Sequence, residues 1–129
     1  MAIVLGAVAL YALADVLYFG RAERSKITDK AYALAGGNIE HGRSVIVAVG
    51  CGACHEIPGI ASARGQVGPS LQGVAGRAMI GGVVPNTADN LARWVENPRA
   101  INAKTAMPVL GLTAEQARDV TAYLYARAQ

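Results

Sequence analysis

The sequence predicts an all-α protein, in which a long apolar N-terminal helix precedes a small domain of three to four short helices. Three observations predict it. Hydrophobic residues make up 53% of the chain and charged residues only 16%, and the apolar excess is concentrated in residues 2–20, where Asp15 is the one charge. Beyond that segment, three stretches space apolar residues at the helical repeat behind residues that cap helices. Between them the chain is rich in glycine and proline, and nowhere does it alternate apolar and polar residues over the length of a useful strand.

The N-terminal element comes first. Residues 3–19 span 17 positions, about 25 Å of helix at 1.5 Å per residue, the short end of a membrane span. A signal peptide would need a basic start, a shorter apolar run and a small-residue cleavage site. Nothing basic precedes this run, and the stretch FGRAERS that follows it makes a poor cleavage site. The expectation is an uncleaved, single-pass transmembrane helix. Asp15 would cost roughly 2.5–3.5 kcal/mol at a bilayer centre; towards the end of the span it reads as an interfacial aspartate or as a polar contact to another transmembrane subunit. Ala2, Gly6 and Ala9 set small residues on one face, which suits close packing against a partner helix. Arg21, Arg24, Lys26 and Lys30 follow the span, and by the positive-inside rule they argue for a cytoplasmic domain, although Glu23 and Asp29 lie among them. The organisation expected is a transmembrane anchor over residues 1–20, a juxtamembrane connector over 21–37 and a folded domain over 38–129.

The domain's helices follow in order. Gly36 and Gly37 end the connector. Asn38 is placed to cap a helix over residues 39–49 that turns Ile39, Gly42, Val45, Ile46 and Val49 to one side. Residues 56–76 contain seven glycines or prolines and read as loop, as does the stretch MIGGVVPNT. Asn86 or Thr87 caps a helix through Glu96, which Asn97-Pro98 stops. Residues 99–111 form another loop, containing Met107. Thr113 and Gln116 form a capping box that opens a last helix to about Ala126, with Ala117, Val120, Tyr123 and Leu124 on its apolar face. A domain this small buries only a modest share of its surface, and its long loops need something to wrap.

Chemistry concentrates in the string CGACH, residues 51–55, which holds both cysteines of the chain and one of its two histidines. A dithiol redox motif wants a βαβ setting and has no use for the adjacent histidine. A structural zinc site needs four ligands; Cys51, Cys54 and His55 supply three at most, and adjacent ligands at 54 and 55 strain a tetrahedron. Covalent attachment of one haem c uses all three residues: the thiols add to the vinyl groups and the imidazole binds the iron. A haem also supplies the missing apolar centre. For the sixth iron position the candidates are His41, Met79, Met107, water or nothing. His41 reads as a solvent-facing helix residue and Met79 as a hydrophobic plug. Met107 lies in an irregular loop before the last helix, beside Pro108, which stiffens the backbone there.

Residues 38–126 resemble a class I c-type cytochrome. The resemblance rests on CGACH, on GPSLQGVAGR at residues 68–77, on NLARWVENP at 90–98 and on AMP before the last helix, in that order and spacing. It implies the class I cytochrome c fold, with first and last helices crossing where a glycine meets an aromatic residue, here Gly42 and Tyr123. It implies that the Pro69 carbonyl bonds His55 Nδ1, that Leu71 packs on the haem, and that Arg77 and Trp94 lie near the propionates or the haem wall. More narrowly, residues 81–113 resemble the cytochrome c domain fused to subunit II of some haem–copper oxidases. The chain departs from that pattern in having no cupredoxin copper domain and no second cysteine pair.

The expected function is one-electron transfer through His/Met-ligated haem c by a membrane-anchored cytochrome subunit, passing electrons to or within a respiratory complex. A terminal oxidase is the first expectation; a quinol-oxidising complex or a periplasmic dehydrogenase is the alternative. By what the family implies, haem attachment places the domain on the outer, periplasmic face of a bacterial cytoplasmic membrane, with redox donor and acceptor proteins and other transmembrane subunits as partners. His/Met ligation leaves no iron position for a substrate, so the chain reads as a carrier and not an enzyme. The rivals are an open iron site that handles peroxide or a small gas, and a structural subunit with a non-essential haem. The formal net charge of +3 comes from scattered residues with no basic stripe among aromatics, which excludes a nucleic-acid footprint.

Overall fold

The structure, a computed structural model, describes residues 2–128, with the side chains of residues 6–21 and 35–128. Helix α1 runs Ala2–Ala35 as one continuous 34-residue helix, so it carries on through Gly20 into the residues expected as connector. One glycine costs a helix interior only about 1 kcal/mol against alanine, and the strong helix formers around it override that. The helix ends at Gly36, whose φ of 62° turns the chain out of the helical path. Every residue from 6 to 21 is exposed.

Among the described residues, no helix is long and apolar enough to cross a membrane. The expected span over residues 3–19 begins at side chains outside the described ones. The structure thus gives the expected transmembrane helix no support; it gives a long helix with exposed apolar residues. Arg24, Lys26 and Lys30, and the side chain of Ala2 in the small-residue face, also lie outside the described side chains.

The domain is built on α2 (Ile39–Ala48), α3 (Ala88–Glu96), α4 (Pro98–Ile101) and α5 (Ala114–Arg127). The Asn38 side chain caps α2, accepting from the His41 N–H at 2.9 Å. Thr87, not Asn86, caps α3. Asn86 instead donates to the Val74 and Arg77 carbonyls and accepts from the Tyr125 hydroxyl. The region expected as loop after Asn97 begins with the short α4. The Asn97 side chain caps it, and Pro98 sits in its first turn, where no backbone donor is needed. The capping box of α5 is complete, with Thr113 Oγ1 accepting from Gln116 N at 3.2 Å and Gln116 Oε1 from Thr113 N at 3.0 Å.

One strand pair was not expected. β1 (Met79–Ile80) and β2 (Val84–Pro85) pair antiparallel, with Met79 opposite Pro85. Two residues per strand leave no periodic trace in a sequence. The turn depends on Gly81 and Gly82, at φ 55° and 72°.

Helix α5 is the centre of the domain: α2 crosses it, α3 packs along it, and α1 also contacts it. From Asp119 to Ala126 every residue of α5 is buried, well beyond the apolar face expected. At the crossing, any Cβ on Gly42 would collide with the Asp119 carbonyl. The three atoms nearest a Cβ on Gly42 belong to the backbone of Asp119 and Val120, one turn before Tyr123 on α5. The Tyr123 hydroxyl donates to the Pro58 carbonyl at 2.9 Å. Asp119, only 4% exposed, joins the helices by accepting from Asn38 N at 2.6 Å and from His41 Nδ1 at 2.5 Å. His41 is thus half-exposed yet tethered, which refines the solvent-facing residue expected.

Candidate functional site

The site begins where α2 ends. Gly50, at φ 76°, bends the chain into a 3₁₀ turn over Cys51–Ala53, and the Cys51 carbonyl accepts from the N–H groups of Cys54 (3.2 Å) and His55 (3.0 Å). This tight turn gathers both thiols and the imidazole at one cleft. Burial pushes the Cys51 thiol above its usual pKa; a backbone hydrogen bond opposes the rise and neighbouring Cys54 adds to it. Dithiol redox catalysts need the reverse, a thiol lowered towards the thiolate, and they need the βαβ setting that this helical domain lacks.

The imidazole is oriented by main chain. His55 Nδ1 lies 2.7 Å from the Pro69 carbonyl oxygen. A carbonyl only accepts, so Nδ1 carries the proton and Nε2 is the nitrogen left for a metal. The loop is drawn in by Gly68 N donating to Cys54 O at 2.7 Å. Gly68 must be glycine, because a side chain there would collide with the His55 ring.

The loop before α5 brings in the thioether. Asn102 N donates to Pro98 O, Thr105 N to Asn102 O, and Met107 N to Thr105 Oγ1 at 3.2 Å. This chain of local bonds ties the Met107 backbone back to α4. Trp94, on α3, donates its indole N–H to Met107 Sδ at 3.2 Å. Arg77 donates to the Ser70 and Gln72 carbonyls, so its guanidinium braces the loop while it borders the cleft.

Cys51, Cys54, His55, Pro69, Leu71, Arg77, Trp94 and Met107 all border this single cleft of about 360 Å³, within the usual range for ligand sites. Met79 borders it too, 44% exposed, whereas His41 is held at the helix crossing. The sequence reading missed the apolar wall from Ile46, Val74, Leu91, Val95, Val120 and Leu124; several of these stood on helix faces assigned only to the core. It also missed Thr105, which carries no motif. Among the described residues, no three of His, Cys, Asp and Glu gather so as to hold a metal ion by themselves. Two thiols, an imidazole with Nε2 free and a thioether around an apolar cleft, with Arg77 its one cationic side chain and no carboxylate among its lining residues, fit a covalently held haem c.

A family comparison decides the matter. Residues 39–127 match the model of the family described as Cytochrome c. The chain belongs to the cytochrome c family. No curated protein and no solved structure matches it. The cytochrome c domain binds one covalent haem c, and the work of the family is electron transfer through that haem. The bound haem supplies an iron that cycles between ferric and ferrous states. The polypeptide fastens it, orients its ligands and excludes water.

Proposed function

We propose that this chain is a one-electron carrier in which Cys51 and Cys54 form the thioether bonds and His55 Nε2 and Met107 Sδ are the axial ligands. It works as a membrane-anchored cytochrome subunit delivering electrons to or within a respiratory complex, most simply a terminal oxidase. The observation that carries the reading is the meeting of both thiols, the oriented imidazole and the thioether at one apolar cleft. His55 is set to bind before the iron arrives, because its Nδ1 proton is engaged by Pro69, a bond that also raises its donor strength. A thioether ligand favours ferrous iron and raises the potential. Leu71 and the apolar wall exclude water, and Arg77 offers a cation to the propionates.

The anchor reading starts from the apolar sequence of residues 3–19; side chains 6–21 are exposed, including Leu10 at 70% and Phe19 at 65%. A contiguous apolar surface of that kind is normally covered by lipid or protein. Haem attachment argues for the outer face of the membrane.

A redox titration with optical spectra tests the ligand assignment. A low-spin ferric spectrum with the far-red methionine charge-transfer band and a positive midpoint is expected. A high-spin spectrum, or rapid carbon monoxide binding by the reduced protein, would remove Met107 from the iron. Alkaline carbonate extraction tests the anchor separately: the full chain is expected to stay in the membrane pellet, and its release to the supernatant would refute anchoring without touching the haem assignment.

A further inference from the structure

We propose that Asn86 is a positioning residue for Arg77: its side-chain amide pins the backbone from which the Arg77 guanidinium reaches the cleft, and through that cation it sets the redox balance of the haem. The inference rests on the reading of Arg77 as the cation offered to the propionates; it is independent of Met107 and of the anchor.

Two observations carry it. The first is the way the Asn86 amide is used. Its Nδ2 donates to the Val74 carbonyl at 2.7 Å and to the Arg77 carbonyl at 2.9 Å, and its Oδ1 accepts from the Tyr125 hydroxyl at 3.1 Å. Carbonyls only accept and a hydroxyl can donate, so a single orientation of the amide satisfies all these partners. The main chain adds a further bond, Asn86 N to Ala78 O at 3.0 Å. One residue at the end of the β1–β2 hairpin thereby ties the 3₁₀ turn over Val74–Gly76 to buried Tyr125 on α5. The second observation is how Arg77 itself is held. Its N–H donates to Val74 O at 3.2 Å and its C=O accepts from Asn86, so the peptide groups on both sides of its Cα are fixed. Its guanidinium ends on the Ser70 and Gln72 carbonyls at the cleft. Neither Asn86 nor Tyr125 lines the cleft, so their influence on the iron passes through the residues they hold.

A haem iron carries one more positive charge when oxidised. A fixed cation bordering the cleft therefore disfavours the ferric state, by a Coulomb interaction that grows as water is excluded. The Ser70 and Gln72 carbonyls hold the guanidinium at a set distance only while the turn that carries it is itself fixed. Without the Asn86 amide the Val74 and Arg77 carbonyls lose a donor, the turn loosens, and the cation swings towards solvent, where it is screened.

The test is a double-mutant cycle on the full haem-loaded chain. Asn86→Ala is made in the native background and in Arg77→Gln, whose amide keeps donors for the Ser70 and Gln72 carbonyls and removes the charge. In the native background the ferric-to-ferrous ratio at a fixed electrode potential is expected to rise about threefold, a midpoint lower by about 28 mV on the 59 mV per tenfold of a one-electron couple. In Arg77→Gln the same change is expected to move the ratio by less than about 1.5-fold. Tyr125→Phe removes only the donor to Asn86 Oδ1 and is expected to follow the same pattern with a smaller shift. If Arg77→Gln alone leaves the ratio unchanged, the role of Arg77 falls and the inference with it. If Arg77→Gln moves the ratio and neither Asn86→Ala nor Tyr125→Phe does, the inference falls and the role of Arg77 stands. Equal shifts in both backgrounds also overturn it, because Asn86 then acts without Arg77. Should a variant fail to load haem, the carboxamide protons of Asn86 in the reduced native protein decide. Exchange with solvent at least about tenfold slower than in free asparagine supports the clamp, and exchange at the free rate overturns it.

Discussion

The crossing of α2 and α5 and the loop wall of the cleft are held together by opposite means. At the crossing, two regular helices touch backbone to backbone through Gly42, with a buried carboxylate, Asp119, stitching one helix to the start of the other. Along residues 55–72 there is almost no regular structure. The wall is held by carbonyls that accept from chosen donors, such as Pro69 from His55 and Pro58 from Tyr123. The difference separates stability from chemistry. The crossing fixes where the polypeptide goes, and the loops fix where individual ring nitrogens and sulfurs point.

The comparison breaks most sharply at Gly42. Gly42→Val places a branched side chain against the Asp119 carbonyl, which belongs to a helix and cannot rotate away. A loss of about 3 kcal/mol is expected, seen as a melting temperature lower by roughly 15 °C for a domain of this size. Thermal unfolding followed by circular dichroism checks it, and a change within a few degrees would mean that the helices separate more freely than the packing implies. Asp119→Ala comes next. It leaves the Asn38 N–H and the His41 ring without their buried acceptor, at a cost of about 2 kcal/mol, while the spectrum of the folded haem protein stays unchanged. Denaturant titration with the optical spectrum as control separates the two effects.

The smallest effect lies where the two regions join. Tyr123 belongs to the crossing helix, yet its hydroxyl donates to the loop at Pro58. Burial raises its pKa above the usual tyrosine value; Arg43 and Arg127 oppose the rise and Glu40 adds to it. Tyr125 is raised by burial as well. A raised folded pKa means that the contribution is whole while both states keep their protons, below about pH 10. It declines as pH climbs through the folded value, because the unfolded chain ionises first. Tyr123→Phe is expected to cost about 1 kcal/mol at neutral pH and to show a shallower loss of stability above pH 10 than the native chain. Parallel loss in both proteins would mean that Tyr123 does not drive the alkaline transition.

The same division explains what the sequence disclosed. Helix ends were legible where their chemistry is local: Asn38, Thr113 and Gln116 bond within three residues of themselves. The clustering of Cys51, Cys54 and His55 was legible because one tight turn joins them. What stayed hidden was long-range. Asp119 meets His41 across 78 positions, and no pattern within α5 marks it as a brace rather than a surface charge. Trp94 was assigned to the haem wall, and its bond to Met107 depends on how α3 sits against a separate loop. The β1–β2 hairpin escaped because its strands are two residues long. Helix α1 passed through Gly20 because its neighbours' helix propensity outweighs one unfavourable position.

The acceptor that orients His55 is an oxygen of the main chain, and no exchange of a side chain can delete it. The basicity of the imidazole therefore follows the path the polypeptide takes through residues 68–70. Inherited variation can retune this imidazole only by rerouting that path, so the control belongs jointly to every residue that shapes the bend and is owned by none.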